Sequence, residues 1–215
     1  MNNKRTQLVR KYKTRRPYKT IYIFTEGEKT EVNYFHEKRQ EIEKIIRRKN
    51  IRIEIEGKGF NTESLVDYAI EYMKQNRLDD TDECWVVFDK DDFNKTFNLA
   101  IVKAKKNNLK VAYSNESFEL WFLLHFCYLN TAITRKDYIS KLTPYLRDIT
   151  GNDKMAYEKN AVDIYSIIKK DEKSAIKYAK KLLKEHSQER SYLKKNPSTT
   201  VHLLVESLNR LKESN

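Results

Sequence analysis

The chain has 215 residues, of which 39% are hydrophobic and 34% charged, enough for one ordinary domain with decorations or for two small ones. Lys and Arg number 43 against 31 Asp and Glu, a formal net charge of +12 that points to a polyanionic partner. Two cysteines without a C-x-x-C pair speak against a disulfide framework or structural zinc, and the absence of a signal-peptide or membrane-spanning profile leads us to expect a cytoplasmic protein with no membrane partner.

Residues 1–19 carry Lys4, Arg5, Arg10, Lys11, Lys13, Arg15, Arg16 and Lys19 with no acid, the pattern of a basic arm. Thr20-Ile21-Tyr22-Ile23-Phe24 then reads as a buried strand. A helix is predicted over roughly 30–49, with Thr30 as N-cap. Ile51 to Glu56 alternates with period two, a half-exposed strand near a sheet edge. Gly57-Lys58-Gly59 turns the chain into a helix bearing Leu65, Val66, Ala69, Ile70 and Met73. Glu83 to Phe88 is the third and most buried strand, residues 93–106 a helix, and Leu109 to Tyr113 a fourth strand. The alternation predicts an α/β domain over 20–130, with a doubly wound, mostly parallel four-stranded sheet. Beyond it the strand signal ends. Residues 131–215 read as a helical extension packed on the same domain, with helices near 135–148, 158–169, 171–187 and 198–212.

Two acidic clusters follow strands one and three: Thr25-Glu26-Gly27-Glu28-Lys29-Thr30-Glu31 and Asp89-Lys90-Asp91-Asp92. In a parallel sheet the strand C-termini point one way, so with strand order 2-1-3-4 these carboxylates meet at one edge. Carboxylates brought together repel one another unless a cation lies between them, which makes Glu26, Asp89 and Asp91 candidate ligands for Mg²⁺ or Mn²⁺ and for phosphodiester chemistry. Isolated acids of this kind also serve as helix caps or solvated loop tips. No P-loop or dinucleotide fingerprint competes for these stretches. A third segment, Ser114 to Phe126, reads as a buried helix whose first turn brings Glu119 to the same edge, either to complete a second metal position or to sit favourably on the helix dipole. His125 reads as a core or helix-surface histidine rather than a catalytic one. Lys159 stands either as a stabiliser of developing charge or as a solvated lysine.

These motifs resemble the RloB/AbiLii-like proteins. The resemblance rests on the first acidic cluster with Asn33-Tyr34-Phe35, on Val87-Phe88-Asp89-Lys90-Asp91-Asp92, on Ser117 to Phe126, and on Asn196-Pro197-Ser198-Thr199-Thr200-Val201-His202. That family is similar to Toprim domains, the metal-dependent module of topoisomerases, primases and OLD-type nucleases. The resemblance implies a Toprim-like fold, Glu26 as the acid-base or metal glutamate, Asp89 and Asp91 as the metal-binding D-x-D, Glu119 as an additional acid, and a role in phage defence beside an ATPase. At position 116 it leads us to expect a smaller residue or Pro, whereas the chain has Glu.

The resulting expectation is an Mg²⁺- or Mn²⁺-dependent Toprim endonuclease that cleaves RNA, tRNA included, or DNA as a toxic defence effector with an ATPase partner. Homodimerisation is compatible with it. The alternative is a non-catalytic regulatory or nucleic-acid-binding subunit of an ATPase-containing complex. Deleting residues 1–19 should weaken nucleic-acid binding and flatten its salt dependence, by about 0.9 in log-log slope for each duplex phosphate that the arm neutralises. An unchanged slope in filter binding would assign the arm to a protein partner.

Overall fold

The computed structural model describes residues 19–46, 50–78, 80–90 and 94–213, so the arm before Lys19, together with Asp91 and Asp92, lies outside the described residues. The strands are β1 (Lys19–Thr25), β2 (Ile51–Gly57), β3 (Glu83–Asp89) and β4 (Lys110–Ser114). They form one parallel sheet in the order β2-β1-β3-β4. Lys19, counted above with the basic arm, opens β1 and pairs with Glu83 at 3.1 Å.

Position in the sheet explains the sequence of each strand. Central β1 and β3 are covered on both faces, and their runs are accordingly almost continuously apolar. Edge strand β2 buries Ile53 and leaves Arg52 exposed, which gives its alternation. The helices α1 (Thr30–Ile45), α2 (Thr62–Asn76) and α3 (Asn94–Lys106) wind on both sides. Ile21, Ile23, Trp85 and Val87 face the core that includes α1, whereas Tyr22, Phe24, Val86 and Phe88 face α2 and α3. This is a Toprim-like doubly wound fold.

Thr30 is the first residue of α1 rather than its cap; Lys29 holds the cap position without a side-chain bond, and the Thr30 hydroxyl donates instead to the Lys159 carbonyl. The α1 C-cap at Ile46 is earlier than the sequence pattern suggests. Asn108 supplies the left-handed residue after α3, with φ 60°. The apolar segment after β4 forms only a five-residue helix, α4 (Glu119–Leu123), with every residue buried. A helix buried all round reads as apolar all round, so sequence periodicity carries no boundary here.

The remaining helices are α5 (Arg135–Thr150), α6 (Ile164–Ile168), α7 (Glu172–Glu185) and α8 (Val201–Glu213). A capping box between Thr134 and Asp137 opens α5, and Gly151 ends it at φ 64°. The helix expected over 158–169 is confined to α6 and a following 3-10 turn over Lys169–Asp171. Side chains of α1 explain the shortening: Thr30 and Asn33 donate to the carbonyls of Lys159 and Asn160, which are held in an irregular segment. Tyr138, Ile168, Leu182 and Leu204 join the same core cluster as Ile21 and Tyr34, so the helices beyond α4 complete the packing of one sheet face.

One buried charge ties these layers together. Lys38 of α1 has 0% of its side chain exposed, and its ammonium donates to Glu172 of α7 at 2.6 Å and to Asn209 of α8 at 2.9 Å. Burial pulls its pKa down and the Glu172 carboxylate opposes that shift. Lys38→Ala leaves Glu172 without its cation and should cost about 3–5 kcal/mol in urea unfolding. Pairing Lys38→Met with Glu172→Leu should recover most of that loss.

Candidate functional site

The acidic edge forms where β1 and β3 end. Glu26 continues the ladder past β1, its N–H donating to the Val87 carbonyl at 2.9 Å. This extension brings the two clusters into contact, since Glu26 Oε2 accepts from the Asp89 N–H at 3.3 Å while Oε1 accepts from the Thr62 hydroxyl at 3.0 Å. The first turn of α2 thus orients the glutamate, and the adjacent strand end fixes its height.

Asp89 holds the centre. Its Oδ2 accepts from the Phe118 N–H at 3.0 Å, whereas Oδ1 is shielded from water and has no hydrogen-bond partner among the described residues. Burial pushes the Asp89 carboxyl well above its ordinary value, and the nearby Glu31 and Glu119 carboxylates push the same way. Arg135 and the Phe118 N–H pull against them.

Glu119, only 3% exposed, arrives on the first turn of α4. The Ser117 hydroxyl donates to one of its oxygens, and the Tyr157 hydroxyl donates to the other at 3.0 Å. Burial and the Glu119 charge raise the Tyr157 pKa, keeping this phenol a donor. Glu31, in the first turn of α1, is 6% exposed and packs over Gly27. A Cβ added at Gly27 would lie 2.3 Å from the Glu31 Oε2 atom, so glycine there makes room for the carboxylate.

Around these acids lies a cleft of about 480 Å³. Glu26, Asp89, Glu119 and Lys159 all line it, so the structure brings together four of the five residues singled out from sequence, the fifth, Asp91, being outside the described residues. Lys159 is exposed at the cleft, where its carbonyl is held by Thr30. Among the described residues no three His, Cys, Asp or Glu side chains gather closely enough to hold a metal ion as they stand. The donor chemistry nevertheless suits a hard cation, because a buried carboxylate oxygen without a partner among the described residues sits among further carboxylates.

Sequence reasoning missed Glu31, Arg135 and Tyr157. Glu31 had a local signal: a first-turn side chain leans back toward the helix N-terminus, and the residue four places earlier is the glycine that admits it. Arg135 opens α5 and donates from Nη2 to the Glu116 carbonyl at 2.9 Å, and Tyr157 comes from the irregular segment after α5; neither stands in a recognisable motif. Glu116 itself has φ 77°, with its carboxylate bonded by Lys90 and by Asn196 Nδ2 at 3.3 Å. Proline, locked near −65°, does not fit that backbone, which corrects the proline half of the expectation for position 116 and leaves the smaller residue compatible with it. His125 is buried, its Nδ1 2.9 Å from the Trp121 carbonyl and its pKa lowered to about 4 by burial, and it does not line the cleft.

A family model described as RloB-like protein matches residues 21–208. Searches of curated proteins and of solved structures gave no match.

The raised Asp89 pKa has a measurable sign. The folded state holds the Asp89 proton above the ordinary value of 3.8, so stability from this group is fully present at lower pH and declines as pH rises from there through the folded pKa. Asp89→Asn keeps an acceptor for the Phe118 N–H and cannot ionise. In chelator its melting temperature should meet or exceed that of the parent chain, with the gap widening as pH rises across that window.

Proposed function

The chain belongs to the RloB-like family, and from that membership and its acidic edge we propose that it is a metal-dependent nuclease that hydrolyses RNA or DNA in anti-phage defence, with an ATPase as partner. One observation carries the proposal: Asp89 Oδ1 is buried without a hydrogen-bond partner among the described residues, while burial and then the neighbouring carboxylates raise its pKa. A structural role alone favours paired or protonated acids, whereas a cation gives such a cluster a use.

Mg²⁺ or Mn²⁺ would draw together Asp89, Glu26 and Glu119, with Asp91, two positions beyond Asp89 in sequence and outside the described residues, as the other candidate ligand, and when bound would polarise a phosphate or activate water. The chain's own groups prepare that centre. Thr62 and the Asp89 N–H fix the Glu26 carboxylate, and Tyr157 with Ser117 fixes Glu119. Arg135 and Lys159 supply positive charge along the cleft, where a phosphodiester approaching the acids needs compensation.

The second reading, a non-catalytic subunit of an ATPase-containing complex, is favoured by the lack of a ready three-residue metal cluster among the described residues. Incubating purified protein with total RNA and plasmid DNA, with and without Mn²⁺, separates the two. The nuclease reading expects cleavage only with metal, reduced by roughly a thousandfold or more in Glu26→Gln or Asp89→Asn, since metal and ligands together supply several kcal/mol. Mn²⁺ should also raise the melting temperature of the parent chain and not that of Asp89→Asn. Metal-independent function in cells with no cleavage in vitro would establish the adaptor.

A further inference from the structure

A second cleft, of about 650 Å³, wraps the outer edge of β4. Its walls come from the end of α3, from β4, from the 3-10 turn over Tyr192–Lys194 and from α8, and it shares no lining residue with the acidic cleft. Its volume falls within the range of small-ligand sites, about 300–1,000 Å³.

The cations here are displayed against aromatic rings. Lys105 donates to the Tyr192 hydroxyl at 2.8 Å and lies 4.8 Å from the ring centroid, and Lys195 lies 5.2 Å from the same centroid. Lys110 sits 5.4 Å from the Trp85 ring centroid and pairs with Glu83 at 2.8 Å. Arg210 adds a further positive charge to the lining. The one carboxylate in it, Glu206, is already paired with Lys180 at 2.6 Å. Positive charge therefore dominates the cleft.

Between the cations the surface is apolar. Val111 and Leu109 are buried beneath it, Leu183 borders it, and Leu203 is 43% exposed. Such a cleft selects a ligand that is anionic at one end and flat and apolar at the other. The geometry points to a nucleotide site, with phosphate oxygens met by Lys105, Lys195 and Arg210 and the base laid against Leu183 and Leu203. The nucleotide is either free or one unit of a single strand, and the assignment does not depend on the acidic edge being catalytic.

Trp85 lines this cleft from a buried position, 4% exposed and beneath Lys110, and the only other tryptophan, Trp121, does not line it, so a change in intrinsic fluorescence reports on Trp85 while calorimetry reads binding directly. The full chain is titrated in EDTA with AMP, ATP, adenosine, inorganic phosphate and a short single-stranded oligonucleotide, and calorimetry provides the affinities. AMP or ATP should bind more tightly than adenosine or phosphate if the free nucleotide is the ligand; binding of the oligonucleotide alone assigns a strand. In either case Lys105→Ala with Lys195→Ala should weaken binding by about tenfold or more. Leu203→Glu, at an exposed position, should weaken it independently. No binding by nucleotide or oligonucleotide, undiminished binding in the lysine double variant, or equal competition by a Glu-Leu peptide would each overturn the assignment.

Discussion

A carboxylate buried beside other carboxylates is the constraint around which this fold is arranged. Asp89 ends the most apolar strand of the sheet, and that strand delivers it where water cannot reach Oδ1. Every element meeting it contributes a fixed donor or another acid: β1 through Glu26, α4 through the Phe118 N–H and Glu119, α1 through Glu31, α5 through Arg135. Like charges at this range cost energy that grows as the local dielectric falls. The arrangement holds because packing elsewhere, on both sheet faces and across the Lys38 ion pair, fixes the elements that carry these groups.

The turn from β4 into α4 connects that edge to the chain's end. The buried Asn115 side chain donates to the carbonyls of Tyr192, Leu193 and Lys195 at 2.9–3.1 Å, and its N–H donates to the Ser198 carbonyl at 2.8 Å. Next in sequence, Glu116 takes a left-handed conformation that lets its carboxylate reach Lys90 and Asn196 while its carbonyl receives Arg135. Phe118 then bonds Asp89. Four consecutive residues thus join the 192–198 segment, α5 and the acidic centre. Thr200 extends the connection along the β4 edge, where its hydroxyl meets the Val111 carbonyl and its N–H the Tyr113 carbonyl.

What the sequence discloses divides along the range of the interactions. Strand runs such as Trp85 to Phe88 and the acids behind them are local, and the order 2-1-3-4 that joins Glu26 to Asp89 follows from parallel crossovers. Glu31 was half legible, present in the cluster but given a role only by the helix geometry that leans it over Gly27. Tyr157 and Arg135 were not legible, because their roles depend on contacts with residues 38 and 19 positions away. The same distance effect shortened α6, where α1 side chains claim carbonyls that a helix would have used. Local propensity loses here to side-chain donors from a distant helix that bind the same carbonyls.

The charge distribution presents a conflict that chemistry at the edge must resolve. The whole chain is at +12, which draws polyanions toward it, yet the acidic cleft is lined by five carboxylate residues, Glu26, Glu28, Glu31, Asp89 and Glu119, against Lys29, Arg135 and Lys159. A phosphate attracted by the global field therefore meets local repulsion in the last few ångströms, where low dielectric strengthens it and salt screens it least. The divalent cation of the proposed function, if held among the acids, would reverse the local sign without altering the surrounding field. On the proposed function, two fields of opposite sign, one spread over the molecule and one confined to a strand edge, would make attraction general and entry into the site conditional on the ion.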